Sequence, residues 1–152
     1  MQYAHEEDFA GFWRRVLATL IDGLILYLPT AIVEIALHEW MYGPFAELQR
    51  VALIPQAIAV FGIWAAYEIP FWICPWQATP GKKLCGIVVT TMNGDRLSVA
   101  GAVGRYLCKC VSGTIIVGFL FIPFTSSRQA LHDLMAGTLV PRRDALTRLL
   151  RT

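Results

Sequence analysis

Residues 12–37 read FWRRVLATLIDGLILYLPTAIVEIAL, and the apolar run at 16–37 inside this stretch decides the fold class. A helix needs about 20 consecutive apolar residues to cross the hydrocarbon core of a bilayer, so this run is long enough to span it. Asp22 lies within the run, where a charged side chain costs roughly 2.5 to 3.5 kcal/mol unless it is paired, protonated or hydrated. Asp22 is therefore the first candidate for a functional residue.

Two further apolar regions follow, at residues 51–72 and 99–124. Of the 152 residues, 56% are hydrophobic, and the mean hydropathy is +0.52. Long apolar blocks of this kind indicate an all-α membrane protein, because helices satisfy their own backbone hydrogen bonds in lipid. We expect one membrane domain over residues 1–152, with full spans at about 16–37 and 51–72. Glycines and a proline interrupt the region 99–124, which we expect to form a broken or re-entrant helical element.

The segments outside these regions predict small cytoplasmic elements. Residues 84–98 predict a β-hairpin, with a strand at 87–91, a turn at Asn93 and Gly94, and a short return strand at Arg96 and Leu97. Ser98 is a plausible N-cap for the next helix. Residues 126–152 predict a short helix, a strand at 138–140 that could meet the 87–91 strand, and a basic tail lying on anionic lipid.

The distribution of cations predicts the topology. Lysine and arginine residues precede the first span, follow the second span and are frequent in the C-terminal tail. Between the first two spans, Arg50 is the one lysine or arginine. Because cytoplasmic loops carry the excess of lysine and arginine, we expect both termini to be cytoplasmic. The chain should thus be a multi-pass protein of the cell (inner) membrane with an even number of crossings.

Four charged side chains within the apolar regions form a candidate site. Asp22 and Glu68 should lie at similar depth on antiparallel spans, and Arg105 and Lys109 share one helix face because they are four residues apart. One interpretation is that the two carboxylates bind a proton or a monovalent cation in turn. The alternative is that two acids and two bases only hold the helices together.

Other chemistry is not indicated. A net charge of +2 is too small to suggest nucleic acid, and no hydrolytic, phosphate-loop or metal-ligand motif is present, so we expect no enzyme activity, cofactor or metal. The four cysteines, which include no CxxC pair, indicate small apolar side chains in a reducing compartment.

Several motifs together resemble a known family. They are FWRRVLATLID at 12–22, TPGKKLCGIVV at 79–89, RYL at 105–107 and LHDLMAGTLV at 131–140. In this order they resemble the RDD family of small, mainly prokaryotic membrane proteins, which is named for one arginine and two aspartates. Carried over by position, these are Arg15, Asp22 and Asp133. The resemblance implies transport, and some members are described as sodium or proton antiporters.

Helix geometry predicts that Arg15 pairs with Asp133 rather than with Asp22. A helical side chain leans toward the N-terminus, so Arg15 points away from Asp22 and toward the membrane surface, where Asp133 should lie. This pair should sit at the cytoplasmic surface.

Two functions remain open at this point. The first is a cation/proton exchanger, such as a monovalent cation/proton antiporter, or a related transport component; it would be a homo-oligomer because two or three helices are too few to enclose a path. The alternative is a non-catalytic membrane adaptor or assembly protein in which the charges are structural. Access to Asp22 from both sides would favour transport, whereas burial of Asp22 in fixed ion pairs would favour the adaptor.

Overall fold

The computed structural model describes residues 6–42, 53–111 and 128–149. Helix α1 (Phe12–Tyr42) and helix α2 (Leu53–Ile73) are both long and apolar enough to cross a membrane. Only 17% and 11% of their most apolar windows are buried inside the protein, so both helices turn mostly apolar surface outward. A helix that is apolar on its exposed sides suits lipid rather than water. Both predicted spanning helices are thus present, and each contains an internal proline, Pro29 or Pro70.

Shorter elements make up the rest of the described chain. They are a 3-10 turn (Glu6–Asp8), α3 (Pro80–Leu84), β1 (Thr90–Thr91), α4 (Val99–Val111), α5 (Leu131–Met135), β2 (Thr138–Leu139) and α6 (Arg143–Leu149). Helix α4 is the first half of the third apolar region, and residues 112–124, on which the prediction of a broken or re-entrant element depends, lie outside the described residues.

The turn predicted at residues 79–83 is one turn of helix. Thr79 is its N-cap with φ −66° and ψ 161°, and its hydroxyl accepts a hydrogen bond from the Lys82 N–H. Pro80 occupies the first helical position, where a missing N–H costs nothing. Gly86 follows at φ +66° and redirects the chain toward β1.

Residues 96–97 do not form the predicted return strand, whereas the predicted meeting of the 87–91 and 138–140 strands is confirmed. The turn is present, with Gly94 at φ +86° donating to the Thr91 carbonyl, but β1 pairs antiparallel with β2, so that Thr90 faces Leu139. Leu97 is instead buried in the core, and Ser98 caps α4 by accepting the Gly101 N–H at 3.1 Å, as predicted.

Both ends of the described chain meet at the end of the molecule where α1 begins and α2 finishes. Isolated bridges join Phe9 to Pro141 and Ile87 to Arg142, and the Arg142 N–H donates to the Asp8 carbonyl at 2.7 Å. The tail helix α6 does not simply lie on lipid, because Leu146 is buried against Ala78 and Val88.

A compact core joins these segments to the spans. Trp72 from α2 is 1% exposed and belongs to a core cluster with residues from the N-terminal segment, α1, the 87–97 segment and α4, and with Val140 directly after β2. The polar end of the molecule is therefore one packed unit with the spans.

Candidate functional site

Seven charged side chains from five segments gather between the spans and the polar end. We refer to them as the charged cluster: Arg15, Asp22, Glu68, Lys82, Arg105, Lys109 and Asp133. The cluster divides into three groups, each built around one carboxylate.

The first group is centred on Asp133 in α5, which is fully buried. Its carboxylate forms ion pairs with Arg15 from α1 and Arg105 from α4, and it also accepts the Ala130 N–H at 3.0 Å. Burial by itself raises the pKa of the Asp133 carboxyl, but the two guanidinium groups outweigh burial and hold that pKa well below its usual range. The predicted pair of Arg15 and Asp133 is confirmed, and Arg105 is an additional partner.

The two arginines also donate hydrogen bonds to backbone carbonyl and hydroxyl oxygens around the first group. Arg15 donates through Nε to the Ala10 carbonyl at 3.1 Å and through Nη2 to the Arg128 carbonyl at 2.6 Å. Arg105 donates to the hydroxyl of Thr138 on β2. The single carboxylate of Asp133 thereby connects α1, α4, α5 and β2.

The second group is centred on Asp22, which is 1% exposed. Its Oδ1 accepts the Tyr67 hydroxyl and the Gly81 N–H, both at 2.8 Å, and its Oδ2 accepts the Thr79 hydroxyl at 2.5 Å. All three donors are neutral, and no lysine or arginine of the described residues forms an ion pair with Asp22. The carboxylate therefore fastens the start of α3 to α1, where the free N–H groups of a helix favour negative charge.

The close approach of α3 to α1 requires glycine at position 81. A Cβ built there would lie 2.3 Å from the Ala18 carbonyl oxygen and 2.8 Å from the Asp22 carboxylate. Contact with Asp22 thus explains the Thr79-Pro80-Gly81 motif, because Thr79 and Gly81 both donate to this carboxylate and only glycine fits at position 81.

The third group is centred on Glu68 in α2, which is 2% exposed. Lys109 Nζ lies 2.8 and 2.7 Å from its two oxygens, and Lys82 Nζ lies 3.6 Å from Oε1. Lys82 also lies over the Trp72 ring, 4.7 Å from its centroid. Burial is the largest influence on Lys82 and lowers its pKa to about 8, since Glu68 compensates only in part.

The four members of the predicted cluster all lie in the charged cluster, and Lys109 pairs with Glu68 as that prediction allowed. Arg105 pairs with Asp133 instead, and neither cation forms an ion pair with Asp22 in the described structure. A turn of α4 separates these two residues along the helix, which lets each reach a different carboxylate.

Sequence reasoning missed three contributors to the site. Lys82 reaches back to the second span, and Tyr67 and Thr79 donate to Asp22. The signal for Lys82 and Thr79 was the polar TPGKK motif directly after an apolar span that carries a glutamate. Tyr67 gave no distinct signal, because tyrosine is common in spans near the interface.

His132 borders the first group and is buried. Burial is the main cause that lowers its pKa to about 3, and Arg105, Lys109 and Arg15 act in the same direction, so the imidazole is neutral at physiological pH. Within the described residues, no group of three or more histidine, cysteine, aspartate or glutamate side chains is arranged to hold a metal ion.

Known proteins provide three comparisons. The model of the RDD family matches residues 9–137. YxaI of Bacillus subtilis (strain 168) is 31% identical over 148 residues, covering 88% of this chain and 97% of YxaI. YteJ of the same organism, whose name describes a membrane protein, is 25% identical over 148 residues, covering 87% of this chain and 80% of YteJ. No solved structure matches the chain significantly.

Proposed function

This chain belongs to the RDD family, and from that membership and the geometry of the charged cluster we propose that it is a non-catalytic membrane adaptor. In this proposal, buried ion pairs and hydrogen bonds hold the polar segments against two spans. The observation that carries it is that Asp22 and Glu68, the acids at membrane depth, are 1% and 2% exposed and already have partners at every carboxylate oxygen.

Each carboxylate joins elements that are far apart in the sequence. Asp22 links α1 to the start of α3, Glu68 links α2 to α4, and Asp133 links α1 to α4 and α5. Removing one partner of such a buried pair typically costs 3 to 5 kcal/mol because it leaves a charge without compensation. Charges arranged in this way stabilise one arrangement of segments, whereas an exchange site must release its partners in each cycle.

The polar end of the molecule offers the surface for a partner. Trp13 and Leu84 are 78% and 76% exposed there, and Met92 is 51% exposed. Large apolar side chains exposed near the end of a span suit lipid headgroups or a second protein. We place this end and the N-terminus in the cytoplasm, because Arg14, Lys82 and Lys83 cluster there.

We further propose that the adaptor is a homo-oligomer in the cell membrane. The outward sides of α1 and α2 are apolar and mostly exposed, so they can pack against lipid or against a second copy of the chain.

Transport by monovalent cation/proton exchange is the second candidate, and one observation favours it. Asp22 has no cationic partner in the described chain, and its oxygens lie next to the hydroxyls of Tyr67 and Thr79. Carboxylate and hydroxyl oxygens are suitable ligands for a small cation, and the same groups could exchange a proton.

Asp22→Asn separates the two candidates, with Glu34→Gln as the matched control because Glu34 lies on the same helix outside the charged cluster and is exposed. Purified protein is measured in two ways: thermal stability in detergent, and cation-driven pH change inside vesicles loaded with a pH-sensitive dye and tested with Li⁺, Na⁺ and K⁺. The adaptor proposal expects no cation-driven pH change in the wild type. It also expects a stability loss of roughly 1 to 3 kcal/mol in Asp22→Asn, because an amide offers one oxygen where three donors converge.

The opposite result supports transport. In that case wild-type vesicles show cation-driven pH changes that Asp22→Asn abolishes, while the stability of the variant matches Glu34→Gln. If Asp22→Asn alters neither quantity and wild-type vesicles are silent, the structural role of Asp22 is refuted as well.

A further inference from the structure

A small cavity lies inside the charged cluster, and four of its nine lining residues are cations. Its volume is about 20 Å³, and four of its lining side chains are Arg15, Lys82, Arg105 and Lys109. The remaining lining residues include Trp72, but none of the three carboxylates of the cluster lines it. The charged side chains that line the cavity are therefore all positive.

The cluster as a whole has one positive charge in excess. It contains four cations and three carboxylates, and His132 beside it is neutral because burial depresses its pKa. An excess charge in a buried site is costly unless a counter-charge compensates for it. Asp133 and Glu68 each form ion pairs with two cations, although the Oδ1 of Asp133, which pairs with Arg105, is buried without a hydrogen bond.

One side chain that lines the cavity also has an unused hydrogen-bond donor. Arg105 is 3% exposed, and its Nε is buried without a hydrogen-bond partner in the described structure. Because buried donors nearly always have a partner, this Nε is available to a bound acceptor.

We propose that this cavity binds one monatomic anion of the halide class, held between Arg105 and Lys82. The volume favours this class, because about 10 to 15 Å³ of such space is needed for a single water molecule and polyatomic anions such as sulfate need far more. A halide accepts from several donors at once and supplies the missing negative charge, whereas a water molecule would satisfy the donor and leave the charge excess. Lys109 is 24% exposed and Lys82 13% exposed in their side chains, so the lysine side of the cavity is the route of entry.

The wild-type protein tests the proposal directly through its thermal stability in detergent. Sodium chloride replaces sodium gluconate at constant ionic strength, and bromide and sulfate are compared at equal concentration. We expect the Tm to rise by about 3 °C or more between 1 and 100 mM chloride, with a logarithmic dependence on concentration, as for a ligand that binds the folded state. Bromide should act like chloride, and sulfate should not.

Lys82→Gln is the informative variant, and Lys83→Gln is its matched control. Lys82 lines the cavity, and its loss makes the cluster neutral while Lys109 still pairs with Glu68, whereas Lys83 is exposed and lies over Trp76. The halide dependence should disappear in Lys82→Gln and persist in Lys83→Gln. If Lys82→Gln does not fold, the order of anions in the wild type decides the question.

Two outcomes overturn the proposal. A stabilisation in which sulfate equals or exceeds chloride would be a general salt effect. No difference between chloride and gluconate would mean that the cavity holds water only.

Discussion

Replacing Gly81 by alanine tests the contact through which Asp22 holds α3 against α1. The substitution adds one methyl group at a point where the Ala18 carbonyl oxygen would be 2.3 Å away and Asp22 2.8 Å away. The nearer atom belongs to the backbone of a spanning helix, so the methyl group cannot be accommodated by a change of rotamer. Helix α3 must shift outward.

The expected cost has two parts. Overpacking at a rigid contact costs typically 1 to 3 kcal/mol. The shift also weakens the 2.8 Å hydrogen bond from the Gly81 N–H to Asp22, and a hydrogen bond to a charged group contributes about 1.5 to 3 kcal/mol. Together the loss is roughly 3 to 5 kcal/mol, which for a chain of this length corresponds to a decrease in Tm of roughly 6 to 20 °C.

Thermal unfolding of the purified protein in detergent measures this loss, and Gly23→Ala is the control. Gly23 lies on α1 one residue from Asp22, and a Cβ there would have no neighbour within 4 Å. Because alanine favours a helix over glycine by about 1 kcal/mol, the control should be as stable as the wild type or slightly more stable. If the Tm of Gly81→Ala lies within 2 °C of that of Gly23→Ala, then the contact between α1 and α3 does not hold the fold.

Three further predictions concern the rest of the cluster and the topology. Asp133→Asn should lower the free energy of unfolding by about 3 to 5 kcal/mol, because it leaves two buried guanidinium groups without a carboxylate. The control Asp144→Asn breaks an exposed ion pair and should lower it by about 1 kcal/mol or less. Equal losses of the two variants in urea titrations would contradict the central role of Asp133. His132 has a pKa of about 3 in the folded protein against 6.5 in the unfolded chain, so between these values the unfolded state binds more protons and the free energy of unfolding should fall as the pH drops below about 6.5. His132→Gln should reduce this pH dependence by at most about 1.4 kcal/mol per pH unit. An unchanged pH dependence would argue against a buried neutral histidine. Single cysteines are introduced at the exposed positions Met92 and Thr147 on a background free of other cysteines. Both should react with an impermeant maleimide only from the cytoplasmic side. Labelling of the two positions from opposite sides would show that the chain between them crosses the membrane completely.

The sequence alone was sufficient for the spans and for six of the seven members of the charged cluster, all except Lys82. The apolar runs around Asp22 and Glu68 are set by local composition and length, which determine whether a helix prefers lipid, and no tertiary information is needed for that decision. The cost of a charge in such a run is equally local, so the charged residues could be identified as a group. The pair of Arg15 and Asp133 was also predictable, because the direction of a helical side chain follows from the helix geometry.

The tertiary structure decided which charge meets which, and which strand meets which. Arg105 and Lys109 share a helix face and have the same charge sign, so nothing in the sequence distinguishes Asp22 from Glu68 or Asp133 as their partner. The sequence likewise offered strand β1 two partners, residues 96–97 and the strand at 138–140, and the structure pairs β1 with the second, more than 40 residues away. These choices depend on the packing of all segments around Trp72 at once, because long-range pairings gain their energy from the whole core rather than from the residues that pair.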